Sequence, residues 1–153
     1  MSDRGRQRRP MTRRQHSNEA KIFSSWQTNA AAWTEAVRGA SIASRREVTD
    51  RAIVQAILAR CPGSILDVGC GEGWLVRAMA AQGIDAMGVD AVSALVDQAV
   101  EGGGGMFQTL SYDELARGAL DRRFDAVVCN FSLLGNESVT GLLAAVPALL
   151  RPR

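Results

Sequence analysis

The sequence predicts an α/β protein with an open, doubly wound parallel sheet, and three observations support this fold class. Short, continuously apolar runs alternate with helical segments over most of the chain, a pattern typical of parallel strands covered on both faces. The runs end at intervals of 19 to 21 residues, at Val68, Val89, Leu110 and Cys129. Glycines follow several helical segments as stop signals. Together these features indicate repeated strand–helix units in a single domain of 153 residues.

The predicted elements follow one another in a simple order. Strands are predicted over residues 64–68, 85–89, 106–110 and 124–130. Helices are predicted over residues 29–39, 44–61, 73–82, 92–100 and 137–150, and Pro147 is expected to kink the last one. A further short helix is predicted from Ser111, because Ser111 and Glu114 have the spacing of a capping box.

Charge is distributed unevenly along the chain. Residues 1–18 contain six arginines, one aspartate and no apolar periodicity, so we expect a disordered basic tail. A basic arm for an acidic partner, a translation start at Met11 and a transit peptide are alternatives for this segment. The other 135 residues hold 12 basic and 15 acidic side chains, a net charge of −3, so nucleic acid is not expected as a partner. No apolar run is long enough to cross a membrane, and we expect a cytoplasmic protein.

Cysteine and histidine chemistry is not expected. The three cysteines, Cys61, Cys70 and Cys129, are far apart and form no CxxC pair, so neither a disulfide nor a metal site is predicted. They are expected to be buried as small apolar residues. The only histidine, His16, lies in the basic tail, which argues against a histidine base or a Ser-His-Asp arrangement.

The loop after the first strand, D-V-G-C-G-E-G from Asp67 to Gly73, indicates a ligand site. Glycine removes packing atoms and raises the entropic cost of ordering, so several in one loop suggest that a ligand approaches the backbone closely. The loop opens a helix, whose free N–H groups and dipole favour an anionic group. Asp90 ends the second strand, 19 residues after Gly71, where a carboxylate can accept both hydroxyls of a ribose. The pattern predicts a nucleoside that carries a charged arm.

Three motifs in order narrow this prediction. The dinucleotide fingerprint G-x-G-x-x-G is not met, because Trp74 stands where the third glycine belongs. D-V-G-C-G-E-G instead resembles the first motif of the class I S-adenosylmethionine-dependent methyltransferases. A-M-G-V-D-A-V, which contains Asp90, resembles the second motif of that family, and F-D-A-V-V-C-N-F-S-L-L resembles the fourth. The resemblance covers residues 29–150 and implies a Rossmann-like methyltransferase fold.

The resemblance also implies an incomplete sheet. Members of the family have seven strands in the order 3-2-1-4-5-7-6, whereas four are predicted here, and A-L-L-R-P-R resembles the family's turn into the fifth strand. We therefore expect a chain that is truncated before that strand. Residues 19–63 are then expected to form helices that cover the cofactor site, and residues 64–153 the α/β domain that binds the cofactor.

The resemblance implies which residues bind the cofactor, S-adenosylmethionine. Asp67 is expected to reach the ammonium of the methionine arm, Asp90 the ribose hydroxyls, and Ala91 to lie beside the adenine. Asn130 and Phe131 are expected to face the sulfonium and the acceptor. The full set of cofactor-binding residues is Asp67, Gly69, Cys70, Gly71, Gly73, Asp90, Ala91, Ser111, Tyr112, Asn130 and Phe131.

Structural alternatives apply to several of these positions. Asp67 and Asp90 can each cap the helix that follows. Trp74 is expected to pack its helix on the sheet, and Trp33 is expected either over the cofactor or in the core. Family members often carry an acidic residue beside the adenine. At that place this sequence has Leu110-Ser111-Tyr112, so the acidic residue is absent.

The function implied by the resemblance is methyl transfer from S-adenosylmethionine to a small-molecule acceptor. A cofactor-binding remnant or interaction protein without turnover is the alternative, because of the expected truncation. A nicotinamide-dependent oxidoreductase is disfavoured by Trp74. No general base is visible, so no catalytic residue is assigned, and the sequence identifies neither the acceptor nor an oligomeric state.

Overall fold

The structure of the chain is a computed structural model, and it describes residues 13–39 and 42–152. The helices in this part of the chain are α1 Arg13–Arg38, α2 Asp50–Leu58, α3 Trp74–Ala80, α4 Ser93–Gly102, α5 Tyr112–Ala116 and α6 Glu137–Leu149. The strands are β1 Ser64–Val68, β2 Asp85–Asp90, β3 Met106–Thr109 and β4 Ala126–Val128. A π-helical turn, Arg45–Thr49, leads into α2. None of the helices described here is long and apolar enough to cross a membrane.

The strands form one parallel sheet in the order β3-β2-β1-β4. All five residues of β1 are buried, as expected for a central strand covered on both faces. The family order 3-2-1-4-5-7-6 begins with the same four strands in the same sequence. The predicted doubly wound α/β fold is therefore confirmed. The strands are parallel, and their register pairs Val68 of β1 with Val89 of β2 and Asp67 with Val128 of β4. The carboxyl ends of the strands therefore meet at one edge.

Successive side chains of β1 enter two different apolar layers. Ile65 packs in a cluster with Ile57 of α2 and Met79 of α3. Leu66 packs in a second cluster with Leu142 of α6. Full burial of such a side chain stabilises a fold by about 1.5–3 kcal/mol, and the two layers together hold the loops at the carboxyl edge of the sheet in place.

The N-terminal helix differs most from prediction. α1 begins at Arg13, whereas a helix was expected only from residue 29, so the prediction of disorder is wrong for residues 13–18. Once a helix is nucleated, each added residue gains a hydrogen bond at low cost, so a polar segment can extend it without apolar periodicity of its own. The rest of the predicted tail, residues 1–12, lies outside the described residues.

Smaller corrections concern element ends. β4 is shorter than predicted, because Phe124 makes an isolated parallel bridge to Leu150 instead of pairing with β1. The helix predicted over 44–61 is divided by the π-helical turn. Cys61 is exposed, which corrects the expectation of burial, because it lies in the turn after α2 with a φ of 48°. The capping box of Ser111 and Glu114 is confirmed.

Candidate functional site

A cavity of about 740 Å³ opens at the carboxyl edge of the sheet. Segments that follow all four strands line it, and α1 and the segment around the π-helical turn line it from the other side. Nine of the eleven residues expected at the site lie in its wall. These are Gly69, Cys70, Gly71, Asp90, Ala91, Ser111, Tyr112, Asn130 and Phe131. Asp67 and Gly73 are not in the wall.

The three glycines of the loop after β1 have positive φ values of 77°, 56° and 86° at Gly69, Gly71 and Gly73, and different neighbours explain them. A Cβ on Gly69 would lie 2.3 Å from the Cβ of Ser132, and one on Gly73 would lie 2.6 Å from the ring of Phe107. Both glycines therefore allow close packing inside the protein. Only Gly71 has open space, with the indole nitrogen of Trp33 at 3.6 Å.

Most N–H groups of this loop are already bonded within the protein. Those of Gly69 and Cys70 donate to the carbonyl of Val89 at 2.8 and 3.0 Å, and that of Gly71 donates to Asp90 Oδ2 at 2.9 Å. The N–H of Gly73 donates to the carbonyl of Cys70. The expectation of free donors for an anion is therefore wrong at these four positions, because the loop folds back on β2.

Asp90 holds this loop against β2. Its Oδ2 accepts from Gly71, and its Oδ1 accepts from the N–H of Val92 at 2.9 Å, just before α4. Burial raises the pKa of Asp90, although these backbone hydrogen bonds oppose the shift. An ionised carboxylate has about four acceptor sites, so Asp90 retains capacity for further donors on the cavity side.

Asp67 is 2% exposed, and its Oδ1 has no hydrogen-bond partner among the described residues. Burial, and secondarily the negative charge of Asp90, raises its pKa to about 7. Cys70 is also buried, with its side chain packed close to Gly88. Burial raises the pKa of the Cys70 thiol, so this side chain acts as a small apolar filler and not as a nucleophile.

The loops after β3 and β4 meet at the cavity. Ser111 is committed to capping α5, since its backbone N–H and hydroxyl both donate to Glu114 Oε2 at 2.8 Å. The hydroxyl of Tyr112 donates to the carbonyl of Ser132, and burial raises its pKa to about 12. Phe131 has a φ of 57°, and its side chain is 71% exposed.

Arg45 is a site residue that the sequence reasoning missed. Its guanidinium lies 5.2 Å from the ring centre of Trp33 and 5.3 Å from that of Trp74, within the range of cation–π attraction. Nε donates to Asp50 Oδ1 at 3.2 Å, while Nη1 is buried without a partner among the described residues. No local pattern marks this arginine, because two distant tryptophans and a π-helical turn position it.

Helices over residues 19–63 were expected to cover the site, but of the α1 residues in the cavity wall only Trp33 was singled out from the sequence. Glu19, Phe23, Trp26 and Trp33 lie on one face of α1 at helical spacing and line the cavity. Trp33 contacts Trp26 edge to face at 5.4 Å and lines the cavity, so it belongs to both the packing and the site. Trp74 likewise packs against the core and lines the cavity. The helical spacing of these aromatic residues was a signal available in the sequence.

Glu72 was not predicted to have a role, yet it connects α1 to the glycine loop. It is 1% exposed, and its Oε2 accepts from Arg38 Nε at 3.0 Å and from Arg77 Nη2 at 2.5 Å. A second nitrogen of Arg38 donates to the carbonyl of Gln98 at 2.6 Å. The end of α1 is therefore tied to α3 and α4 beside the site.

Comparison with known structures agrees with this architecture. A magnesium protoporphyrin IX methyltransferase from Synechocystis PCC 6803, with bound S-adenosylhomocysteine, is 23% identical with a TM-score of 0.56 over 67% of this chain and 50% of that chain. A TehB-like SAM-dependent methyltransferase from Corynebacterium glutamicum is 21% identical with a TM-score of 0.61 over 80% and 67%. A DhpI–SAM–HEP complex is 14% identical with a TM-score of 0.68 over 94% and 64%. These likenesses show the fold.

The chain spans half of the length of the Synechocystis enzyme. No curated protein matches it. The family model described as "Methyltransferase domain" matches residues 65–153, which is more than half of the chain and includes β1 to β4. By this match, the chain belongs to the methyltransferase domain family.

Proposed function

We propose that the cavity binds S-adenosylmethionine and that the site serves methyl transfer to a small-molecule acceptor. The observation that carries the proposal is the placement of two opposite charges in one cavity wall. Asp90 supplies a carboxylate with remaining acceptor capacity, and Arg45 supplies a buried guanidinium nitrogen without a partner. A ribose and an amino-acid carboxylate, joined in one molecule, match these two groups. Family membership supports the same assignment.

In this proposal Asp90 accepts the ribose hydroxyls while keeping its two backbone donors. Ala91, Val92 and Leu95, which line the cavity beside it, provide the apolar surface that an adenine requires. Gly71, whose φ of 56° and open neighbourhood leave the backbone uncovered, permits close approach of the methionine arm. Residues 19–63 cover the cofactor and contribute Arg45, and residues 64–153 supply the other contacts to it.

Arg45 takes the role that the loop N–H groups were expected to have. Because those donors are already bonded, the carboxylate of the methionine arm needs another partner, and Nη1 of Arg45 is available. The carboxylate of Asp67 contacts the ammonium of the methionine arm through water, since Asp67 lies behind the loop and does not line the cavity. Stacking between two indoles fixes the guanidinium plane before the ligand arrives.

The sulfonium of the bound cofactor supplies an already activated methyl group. The chain's own task is therefore to orient the acceptor in line with it and to exclude water, which contributes about 7–11 kcal/mol in favourable cases. Asn130 and Phe131, which line the cavity after β4, face the acceptor. Tyr112 is unsuited as a base, because its hydroxyl is bonded to Ser132 and its pKa is raised to about 12.

Ligand titration of Arg45→Met tests the proposal. All three tryptophans of the chain line the cavity, so tryptophan fluorescence and calorimetry both report binding. We expect the wild-type chain to bind S-adenosylhomocysteine. Loss of a charge-assisted hydrogen bond costs about 1.5–3 kcal/mol, so Arg45→Met is expected to weaken binding about 10- to 150-fold. Arg45→Met is expected to leave the affinity for 5′-methylthioadenosine unchanged, because this ligand has no amino-acid arm.

Arg123→Met is the matched control, because Arg123 is exposed and does not line the cavity. Asp90→Ala is expected to weaken both ligands, since both contain the ribose. Equal loss of both ligands in Arg45→Met would contradict the carboxylate assignment. Tighter binding of NAD than of S-adenosylhomocysteine by the wild-type chain would contradict the proposed cofactor.

A further inference from the structure

One end of the cavity lies beyond the residues assigned to the cofactor. Glu19 and Trp33 both line the cavity, and Trp33 follows Glu19 by 14 positions, which corresponds to about 21 Å along α1. Trp33 lies at the glycine loop, with its indole nitrogen 3.6 Å from the Cβ position of Gly71. Glu19 lies at the opposite end, where it contacts Ser138 of α6. We call the part around Glu19 the acceptor end; its other wall residues are Ile22 and Phe23 of α1 and Leu134, which precedes Gly135, whose Cβ position lies 3.3 Å from Glu19 Oε1. Phe131 forms the border of this end toward the glycine loop, because the next residue, Ser132, packs against Gly69.

The acceptor end exposes large apolar side chains. Phe131 is 71% exposed, Leu134 45% and Phe23 40%. Apolar side chains gathered at one cavity mouth favour a ligand that covers them, since burial gains about 25 cal/mol for each Å² removed from water. Two of the three are aromatic, which favours a flat ring system as the ligand.

The backbone at Phe131 provides a second, independent observation. Its φ of 57° places a bulky side chain in the left-handed region, where such residues are genuine outliers. Burial of the ring does not compensate this strain, because the ring is largely exposed. Strain of this kind concentrates at ligand sites, which favours a role of the exposed Phe131 ring in contact with a ligand.

Charge restricts the ligand further. Glu19 is the ionisable side chain among the residues named at the acceptor end, and Asp113 of α5, which also lines the cavity, adds a further carboxylate and no cation. Its Oε1 accepts from the N–H groups of Asn136 and Ser138 at 3.3 and 3.4 Å and from the Ser138 hydroxyl at 3.1 Å. Arg45, the arginine in the cavity wall, lies at the far end between Trp33 and Trp74. Among the described side chains that line the cavity, none beside Glu19 is a cation that would neutralise a second negative charge there.

We propose that the acceptor end binds an apolar, aromatic methyl acceptor that carries no negative charge. This inference rests on the proposed function, since it assumes that S-adenosylmethionine fills the end of the cavity at the glycine loop. It names the class of acceptor that the same site takes.

A set of three probes with the same ring tests the inference. 2-Naphthalenemethanol, 2-naphthylmethylamine and 2-naphthoate are neutral, cationic and anionic at pH 7. They are titrated into the wild-type chain saturated with S-adenosylhomocysteine, with binding measured by calorimetry. We expect the neutral and cationic probes to bind at least tenfold more tightly than the anionic one. In Glu19→Gln this preference over 2-naphthoate is expected to shrink to threefold or less.

Phe131→Asn separates ligand contact from folding. Asparagine tolerates the left-handed region, so the melting temperature is expected not to fall, while the neutral probe binds at least fivefold more weakly, a larger loss of affinity than that for S-adenosylhomocysteine. Leu143→Gln removes another exposed apolar side chain, from α6 and outside the cavity wall, and is expected to change none of these values.

Several outcomes overturn the inference. Binding of 2-naphthoate as tight as that of the alcohol, or unchanged probe binding in Phe131→Asn, would do so while leaving the proposed function intact. Dimerisation of the wild-type chain that Phe131→Asn abolishes would show that a second copy covers the acceptor end. Failure of the wild-type chain to bind S-adenosylhomocysteine would remove the proposed function, and the inference with it.

Discussion

At the scale of single residues, the glycines after β1 show that one motif serves several physical purposes. Gly73 precedes α3 with a φ of 86°, and the ring of Phe107 occupies the place where a side chain would lie. Gly69 is similarly limited by Ser132, whereas Gly71 faces open space beside Trp33. The motif therefore reflects packing between loop, helix and strand at two positions and access to the cavity at one.

Gly73→Ala and Gly83→Ala separate backbone strain from steric overlap. Gly83 also has a positive φ, 79°, but nothing lies within 4 Å of its Cβ position. Gly83→Ala is therefore expected to lower the free energy of unfolding by about 1–2 kcal/mol, the cost of the left-handed conformation alone. Gly73→Ala is expected to cost about 1–3 kcal/mol more, because of overpacking against Phe107. Urea unfolding measures both, and equal losses would refute the packing role of Gly73.

At the scale of elements, α1 is attached to the α/β body near both of its ends. Arg38 bonds Glu72 and the carbonyl of Gln98 at one end, and Glu19 bonds Ser138 at the other. Among the α1 residues whose burial the structure describes, only Ala30 and Thr34 are buried. Polar contacts therefore contribute much of the attachment of a helix that forms one cavity wall.

Glu72→Gln tests the attachment at the glycine loop. Glu72 is 1% exposed while the side chains of Arg38 and Arg77 are 40% and 26% exposed, so the arginines regain water when the charge is removed. We expect the free energy of unfolding to fall by about 1.5–3 kcal/mol, the range for hydrogen bonds to charged groups. Glu101→Gln, at an exposed position of α4, is the control. Equal urea midpoints for the two variants would contradict this role of Glu72.

The sequence predicted elements well where the pattern is local. Residues 64–68 form β1 as predicted, and Ser111 starts α5 through its capping box, because short apolar runs and cap spacing act over a few residues. The extent of α1 and the position of Arg45 were not predictable in this way. They depend on contacts with residues far along the chain, such as Trp74 and Glu72, which no local pattern records.

At the scale of the whole molecule, the parallel sheet brings segments from distant parts of the chain to one edge. The register that pairs Val68 with Val89 and Asp67 with Val128 also places Asp67 in the centre of the sheet. The topology was predictable because strand order follows the resemblance to a known family. The raised pKa of Asp67 was not predictable, since its burial depends on how the two apolar layers pack against β1.

That burial makes the stability of the whole fold depend on pH. Asp67 has an ordinary pKa of 3.8, which folding raises to about 7 through burial and the charge of Asp90. The folded state thus keeps a proton that the unfolded state releases, so the contribution of Asp67 to stability is greatest below pH 4 and falls as pH rises to about 7. A change of this size corresponds to about 4 kcal/mol.

Asp67→Asn removes this dependence, so its stability relative to wild type is expected to increase between pH 5 and pH 8. Urea unfolding at pH 5, 6, 7 and 8 measures it, with the exposed Asp121→Asn as control. A constant difference between Asp67→Asn and wild type at all four pH values would show that Asp67 ionises normally in the fold.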